Sequence, residues 1–146
     1  MKITRFEDLE CWREARVLVN MVYNAIKNSK DFQRDLRLSS QITGAAVSTM
    51  SNIAEGFSRR SNKEFVQFLF ISKSSATEVQ SEAYVALDQK YISQDIFKII
   101  YNQAEKVSKL DSGLITYLLS DRSKHNKPDA LKEPNKLNKP KELNKP

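Results

Sequence analysis

Proline is absent from the first 127 residues of this 146-residue sequence, and glycine occurs only three times. Both residues interrupt helices, so their scarcity favours long, continuous helices. The single cysteine, Cys11, excludes an intrachain disulfide and favours a reducing compartment. The single histidine, His125, excludes a di-iron bundle with its Glu-x-x-His pairs. We therefore expect no metal site and no cofactor, and, without a convergent polar cluster, no enzyme activity.

Long apolar runs are also lacking. No run reaches the roughly 18 residues that a membrane-spanning helix requires, and the first residues lack the apolar core of a signal peptide. We therefore expect a cytoplasmic protein without membrane contact. The formal net charge is +6, of which residues 121–146 contribute +4. The remaining residues are thus only weakly basic, which argues against a strongly basic nucleic-acid binder.

Residues 126–146 have a low-complexity composition with a proline every six residues, and Leu-Asn-Lys-Pro occurs at 137–140 and again at 143–146. Little apolar area is present to offset the entropy of ordering. The sequence predicts one domain over 1–122 and a disordered Lys/Asn/Pro-rich tail over 123–146. The tail is either a solubilising appendage or an electrostatic tether for nucleic acid.

Apolar residues recur at steps of three and four over four segments, which predicts helices at about 7–28, 34–58, 61–89 and 94–120. Ser61 with Glu64 fits a capping box, and Ser93 is a candidate N-cap. The connections at 29–33, 59–60 and 90–93 are short, and short connections place successive helices antiparallel. We expect an all-α, up-down-up-down antiparallel four-helix bundle.

Each predicted helix carries a main apolar stripe. In the first helix the stripe is Trp12, Ala15, Val19, Val22 and Ile26. In the fourth helix Asp111 interrupts a stripe that includes Leu114 and Leu118. Gly44 lies inside the second helix, which suggests close packing there. Gly56 indicates either a close internal contact or the end of that helix.

Further apolar residues lie off these stripes. They are Val66, Phe70 and Ile71 on the third helix and Val17 and Met21 on the first. They are either scattered exposed residues or a subunit interface. We favour the interface and therefore expect a homo-oligomer.

The segment from Gln41 to Gly56 ends in Asn-Ile-Ala-Glu-Gly, and Phe6-Glu7-Asp8-Leu9 precedes Trp12 and Ala15. With Ser61 to Phe65, Phe68-Leu69, Ser75 and Glu78, this pattern resembles the four helix bundle protein family, whose members are encoded in 23S rRNA intervening sequences. This family is similar to the accessory variability proteins of retroelements. The resemblance implies a barrel-shaped homopentamer, and the retroelement relatives bind nucleic acid and a reverse transcriptase. Thr43-Gly44 stands where the family often has basic residues, and Met50 stands where proline is common.

Two groups of basic residues are candidates for phosphate contact. Arg59, Arg60 and Lys63 lie around the turn between the second and third helices, and Arg34 and Arg37 lie near the start of the second helix. Antiparallel helices would place the two groups at opposite ends of the bundle. The alternative is that these residues are ordinary solvated charges. In a homo-oligomer each group would be multiplied, which strengthens phosphate binding.

Asn52, Glu55 and Gly56 form a structural motif on the second helix, where we expect hydrogen bonds that fix helix register. The sequence thus predicts a non-catalytic, homo-oligomeric scaffold, pentameric by resemblance, that binds RNA or DNA through phosphates. The alternative is an adaptor that binds a partner protein and has no direct role with nucleic acid.

Overall fold

The computed structural model describes residues 3–120, and these residues form helices and no strand. A 3-10 turn spans Phe6–Asp8, followed by five α-helices. They are α1 (Glu10–Lys27), α2 (Lys30–Arg34), α3 (Leu36–Phe57), α4 (Asn62–Asp88) and α5 (Gln94–Leu119). The all-helical class is confirmed for these residues. The predicted boundary at 122 and the predicted disordered tail over 123–146 lie outside the described residues.

Helices α2 to α5 each begin after a capping side chain, whereas α1 follows Leu9 without one. Ser61 accepts a hydrogen bond from the Glu64 amide and Ser93 accepts one from the Ile96 amide, both at 3.2 Å, which confirms the two predicted N-caps. The predicted loop over 29–33 is wrong. Ser29 caps α2 by accepting from the Phe32 amide at 3.2 Å, and the Phe32 ring is buried, so tertiary packing stabilises this short helix.

Four long helices share one core. Helix α1 packs against α3 and α5, and α4 packs against the same two helices. The predicted stripe of α1 is confirmed at Ala15 and Val22, but the other buried residues of this helix are Cys11, Leu18 and Ala25 rather than Trp12, Val19 and Ile26. The Trp12 ring instead packs 5.1 Å from that of Phe6 in the preceding turn. In α5 the buried residue is Ile115 rather than Leu114.

Polar contacts between helices fix how each lies along its neighbour. The Gln80 side-chain amide donates to the Tyr101 carbonyl at 3.3 Å, and Asn62 donates to the Leu118 carbonyl at 3.2 Å. The Gln103 side-chain amide donates to the Glu14 carbonyl at 2.8 Å. A shift of one helix by a single turn would break these bonds and leave polar groups unpaired.

Gly56 lies inside α3, where the helix approaches α4 closely. A Cβ at this position would lie 2.7 Å from the Phe65 ring and 2.7 Å from the Phe68 Cβ, well inside van der Waals contact. Gly56 is therefore a close packing contact rather than a helix terminator. Gly44 differs, because a Cβ there would meet nothing within 4 Å in the described chain, so no contact within this chain requires glycine at 44.

Helix α4 ends in a left-handed residue. Lys90 has φ of 62°, and the Tyr91 amide donates to the Ala86 carbonyl at 2.9 Å, as in a Schellman motif. Beyond it, the rings of Phe97 and Tyr101 of α5 pack 4.6 and 6.0 Å from Tyr84 of α4. Among the described helices, none is long and apolar enough to cross a bilayer.

We predict that Gly56→Ala destabilises the protein, because the added methyl group meets Phe65 and the Phe68 Cβ. Overpacking of this kind typically costs about 1–3 kcal/mol. Gly44→Ala is the matched control and should stabilise by up to about 1 kcal/mol, since alanine is the better helix former and its methyl group has space. Urea denaturation followed by circular dichroism measures both. Equal effects of the two substitutions would contradict the close contact at Gly56.

Candidate nucleic-acid interface

The turn between α3 and α4 presents three cations. Arg59 is held in place: its guanidinium pairs with Glu55 at 3.0 Å and lies 4.8 Å from the centre of the Phe68 ring. Arg60 and Lys63 are exposed, and neither forms an ion pair within residues 3–120. The turn therefore presents one positioned guanidinium and two solvated cations to an approaching anion.

The packing beneath the turn positions the Arg59 guanidinium. The Phe57 and Phe65 rings meet edge to face at 6.2 Å, and the backbone at Gly56 lies against Phe65. Phe68 then supports the Arg59 guanidinium from below, a cation–π contact that is strongest when the ring is shielded from water. Loss of this packing would release Arg59 from its position.

Arg34 and Arg37 do not join this group. Arg34 ends α2 and forms a loose, exposed ion pair with Asp31 at 3.9 Å, and Arg37 is exposed at the start of α3. Helix α3 has 22 residues and is about 33 Å long, so it separates the two basic groups by roughly that distance. The described residues thus present two distinct basic surfaces.

Two other exposed cations were not indicated by any local sequence motif. Lys98 and Lys109 of α5 are both exposed. They are eleven residues apart, which is close to three full helical turns, so they lie on one face of α5. This spacing is readable in the sequence, but no resemblance or turn signal singled it out.

The five residues assigned to a subunit interface divide into three classes. Phe70 and Ile71 are 51% and 48% exposed, and Val17 is also exposed. Met21 is partly buried against the core. Val66 is only 7% exposed, so the expectation that it lies on an outer face is wrong. It faces inward because α4 lies between α3 and α5 and buries a wide arc of its surface.

Asn52 links α3 to α4 through two serines. Its side-chain amide donates to the Ser48 carbonyl at 2.8 Å and to the Ser48 hydroxyl at 2.9 Å, and that hydroxyl lies 2.9 Å from the Ser75 hydroxyl. Glu55, the next member of the motif, pairs with Arg59. The Asn52 and serine contacts hold α3 against α4, and the Glu55–Arg59 ion pair holds Arg59 at the turn.

A buried carboxyl group lies between α4 and α5. Asp111 is fully buried, and its Oδ2 accepts a 2.6 Å hydrogen bond from the Ser72 hydroxyl. Within the described part of the chain its Oδ1 has no hydrogen-bond partner. Burial raises the pKa of Asp111 to about 7, although the Ser72 and Cys11 side chains act in the opposite direction. The only sequence signal was that Asp111 interrupts an apolar stripe.

Burial and the neighbouring carboxylate also affect other ionisable groups. Burial, and then the charge of Asp111, raises the pKa of the Cys11 thiol far above its usual range, which disfavours the reactive thiolate. Burial and the charge of Glu78 raise the pKa of Glu82 to about 7. Residues 3–120 contain no group of three His, Cys, Asp or Glu side chains that could hold a metal ion.

Comparison with known proteins gives two matches of interest. The family model for the 23S rRNA-intervening sequence protein matches residues 7–113. A crystal structure of a protein of unknown function from the S23 ribosomal protein family of Bacteroides thetaiotaomicron has a similar fold, with a TM-score of 0.61. Its sequence is 23% identical, over 72% of this chain and 94% of that chain. No curated protein matches this chain.

We predict that Asp111→Asn removes a pH dependence of stability. In the unfolded chain an aspartate titrates near pH 4, whereas in the fold Asp111 titrates near pH 7. The unfolded state therefore loses this proton first, and Asp111 makes the protein progressively less stable as pH rises from about 4 to 7. The substituted protein should be more stable than the wild type at pH 8.

Urea midpoints measured from pH 4 to 8 check this expectation. The two proteins should differ least at pH 4, the lowest pH measured, where Asp111 is protonated in the folded state and about half protonated in the unfolded state. A constant difference across the whole range would instead show that the pKa of Asp111 is the same in the two states.

Proposed function

The chain belongs to the 23S rRNA-intervening sequence protein family, and on this basis we propose that it is a non-catalytic, homo-oligomeric scaffold that binds RNA or DNA through their phosphates. The observation that carries the proposal is the α3–α4 turn, where Arg60 and Lys63 are solvated and Arg59 is held over Phe68. Phosphate groups bind such cations with release of counterions, and several copies of the turn in one assembly would add their contacts.

We also propose that the four long helices form an antiparallel up-down-up-down bundle. The contacts along α4 and α5 support it, because Asn62 at the start of α4 meets Leu118 near the end of α5, and Gln80 meets Tyr101. The connections between α3, α4 and α5 are short. This arrangement would put the α3–α4 turn at one end of the bundle and Arg34 and Arg37 at the other.

Self-association is the second element of the proposal. Phe70 and Ile71 are adjacent, large and half-exposed on α4, and Val17 is exposed on α1. Exposed apolar groups of this size favour burial against a second surface. The pentameric number rests on the family resemblance alone, and five chains would together carry five times the +6 formal charge of one.

The alternative proposal is an adaptor that binds a partner protein. The same exposed residues, Phe70 and Ile71, favour it, because an apolar surface accepts another polypeptide as readily as a second copy. Under this alternative the basic turns would be ordinary solvated charges, and binding to nucleic acid would be weak and incidental.

We predict that the full-length protein has the mass of a pentamer, five times the 16.8 kDa of one chain. The double substitution Phe70→Ser with Ile71→Ser should reduce this mass without unfolding the helices, because both side chains are half-exposed within one chain and neither belongs to the buried core. Tyr23→Ser is the control, since Tyr23 is exposed on α1 and outside the proposed interface. Light scattering after size exclusion measures the mass, and a monomeric wild type would contradict self-association.

We predict that Arg60→Ser with Lys63→Ser weakens binding to a structured RNA and to a DNA duplex, measured by fluorescence anisotropy across a salt series. Each lost phosphate contact should make the slope of log K against log salt shallower by about 0.7–0.9. Arg59 is left in place because it also packs on Phe68.

The matched control is Lys98→Ser with Lys109→Ser, which removes the same charge from α5. It should change the affinity much less than the turn substitution does. Equal losses in the two variants would assign binding to net charge rather than to the turn. Absence of binding by the wild type would contradict the nucleic-acid role and favour the adaptor.

A further inference from the structure

A pocket of about 360 Å³ opens where the last turns of α1 meet the first turns of α5. Its apolar lining includes Met21, Ala25, Ile92, Ile96 and Ile99. Ile96 and Ile99 are each more than one-third exposed, although isoleucine is among the residues most often buried. The pocket is large enough for one or two aliphatic side chains.

Two amide side chains lie at the same pocket. Asn24 and Asn28 are one helical turn apart on α1, and both line it. A carboxamide donates and accepts hydrogen bonds, which suits an extended backbone whose carbonyls have no internal partner. The chemistry of the pocket thus fits an extended peptide that carries aliphatic side chains.

The sequence after residue 127 has that chemistry. Leucine and proline alternate there at every third position, with mostly polar residues between them: Pro128, Leu131, Pro134, Leu137, Pro140, Leu143 and Pro146. A polyproline II helix has three residues per turn, so this period would place all seven residues on one edge. Segments of this kind bind apolar grooves at a low entropic cost.

The reach of the chain shows which leucine is the first that can enter the pocket with length to spare. The α5 axis from Ile99 to Ser120 is about 32 Å long at 1.5 Å per residue. A polyproline II segment rises about 3.1 Å per residue, so Leu131 lies at most about 34 Å beyond Ser120 and Leu137 about 53 Å. Leu131 leaves almost no length for the turn back along α5, whereas Leu137 leaves about 20 Å.

We propose that the Pro/Leu segment over 128–146 docks back onto its own chain, with the Leu137 side chain in the pocket between α1 and α5. This assignment is independent of the nucleic-acid role. It gives the segment an intramolecular binding site, where the linker provides a high effective concentration and a modest intrinsic affinity suffices.

Paramagnetic relaxation in the full chain tests the proposal. A nitroxide is attached through Asn135→Cys, two residues before Leu137, and isoleucine methyl signals are recorded by NMR. Cys11 is buried with a raised thiol pKa and should not react, which treatment of the wild type checks. If the segment docks, Ile96 and Ile99 should lose the most intensity. If it does not, Ile115, near the end of α5, should lose the most, and the proposal is overturned.

Three further samples distinguish the occupant. The triple substitution Leu131→Ser, Leu137→Ser and Leu143→Ser should restore the Ile96 and Ile99 signals, whereas Lys132→Ser, Asn138→Ser and Asn144→Ser, each one position later, should not. A mixture of methyl-labelled protein without nitroxide and unlabelled protein with nitroxide should leave Ile96 and Ile99 unchanged. Loss of their intensity in the mixture would assign the pocket to a second copy and overturn intramolecular docking.

Discussion

The close approach of α3 to α4 at Gly56 determines the geometry of the most prominent basic surface. Because no Cβ stands between the helices, the Phe65 ring and the Phe68 Cβ lie against the α3 backbone. A short turn over 58–61 follows Phe57, and Phe68 lies where it can support the Arg59 guanidinium. The positions of the neighbouring cations, Arg60 and Lys63, follow from the same contact, since they belong to that turn and the first turn of α4.

Polar contacts complement the apolar core by defining helix register. An apolar stripe alone tolerates sliding by a turn, because one aliphatic side chain can replace another. The paired serines Ser48 and Ser75, and Ser72 with Asp111, cannot slide without losing a hydrogen bond in a buried place. Each hydrogen bond contributes only modestly to the free energy of folding, but leaving one of its partners unpaired costs more. These groups therefore favour one alignment of the helices.

The starts of α4 and α5 were predictable from sequence because they depend on local capping chemistry. Ser61 and Ser93 cap α4 and α5, as their positions just before the apolar periodic segments indicated. Helix α2 was not predictable, because it depends on the burial of Phe32 by distant elements. In α1 the core position predicted for Trp12 was wrong, because its ring packs against Phe6 of the preceding turn. The basic turn was readable from sequence, but the inward position of Val66 was not, because burial depends on how many neighbours surround α4.

The buried Asp111 makes folding of this chain a proton-binding reaction near neutral pH. An unfolded chain at pH 6 carries this carboxyl group ionised, and the folded chain carries it mostly protonated, because burial raises its pKa to about 7. Folding therefore brings a proton to the Asp111 carboxyl group as it is buried between α4 and α5. Between pH 7 and 4, acidification favours the folded state through this group, whereas Glu14, whose pKa is lowered by the hydrogen bond from Gln103, acts in the opposite direction.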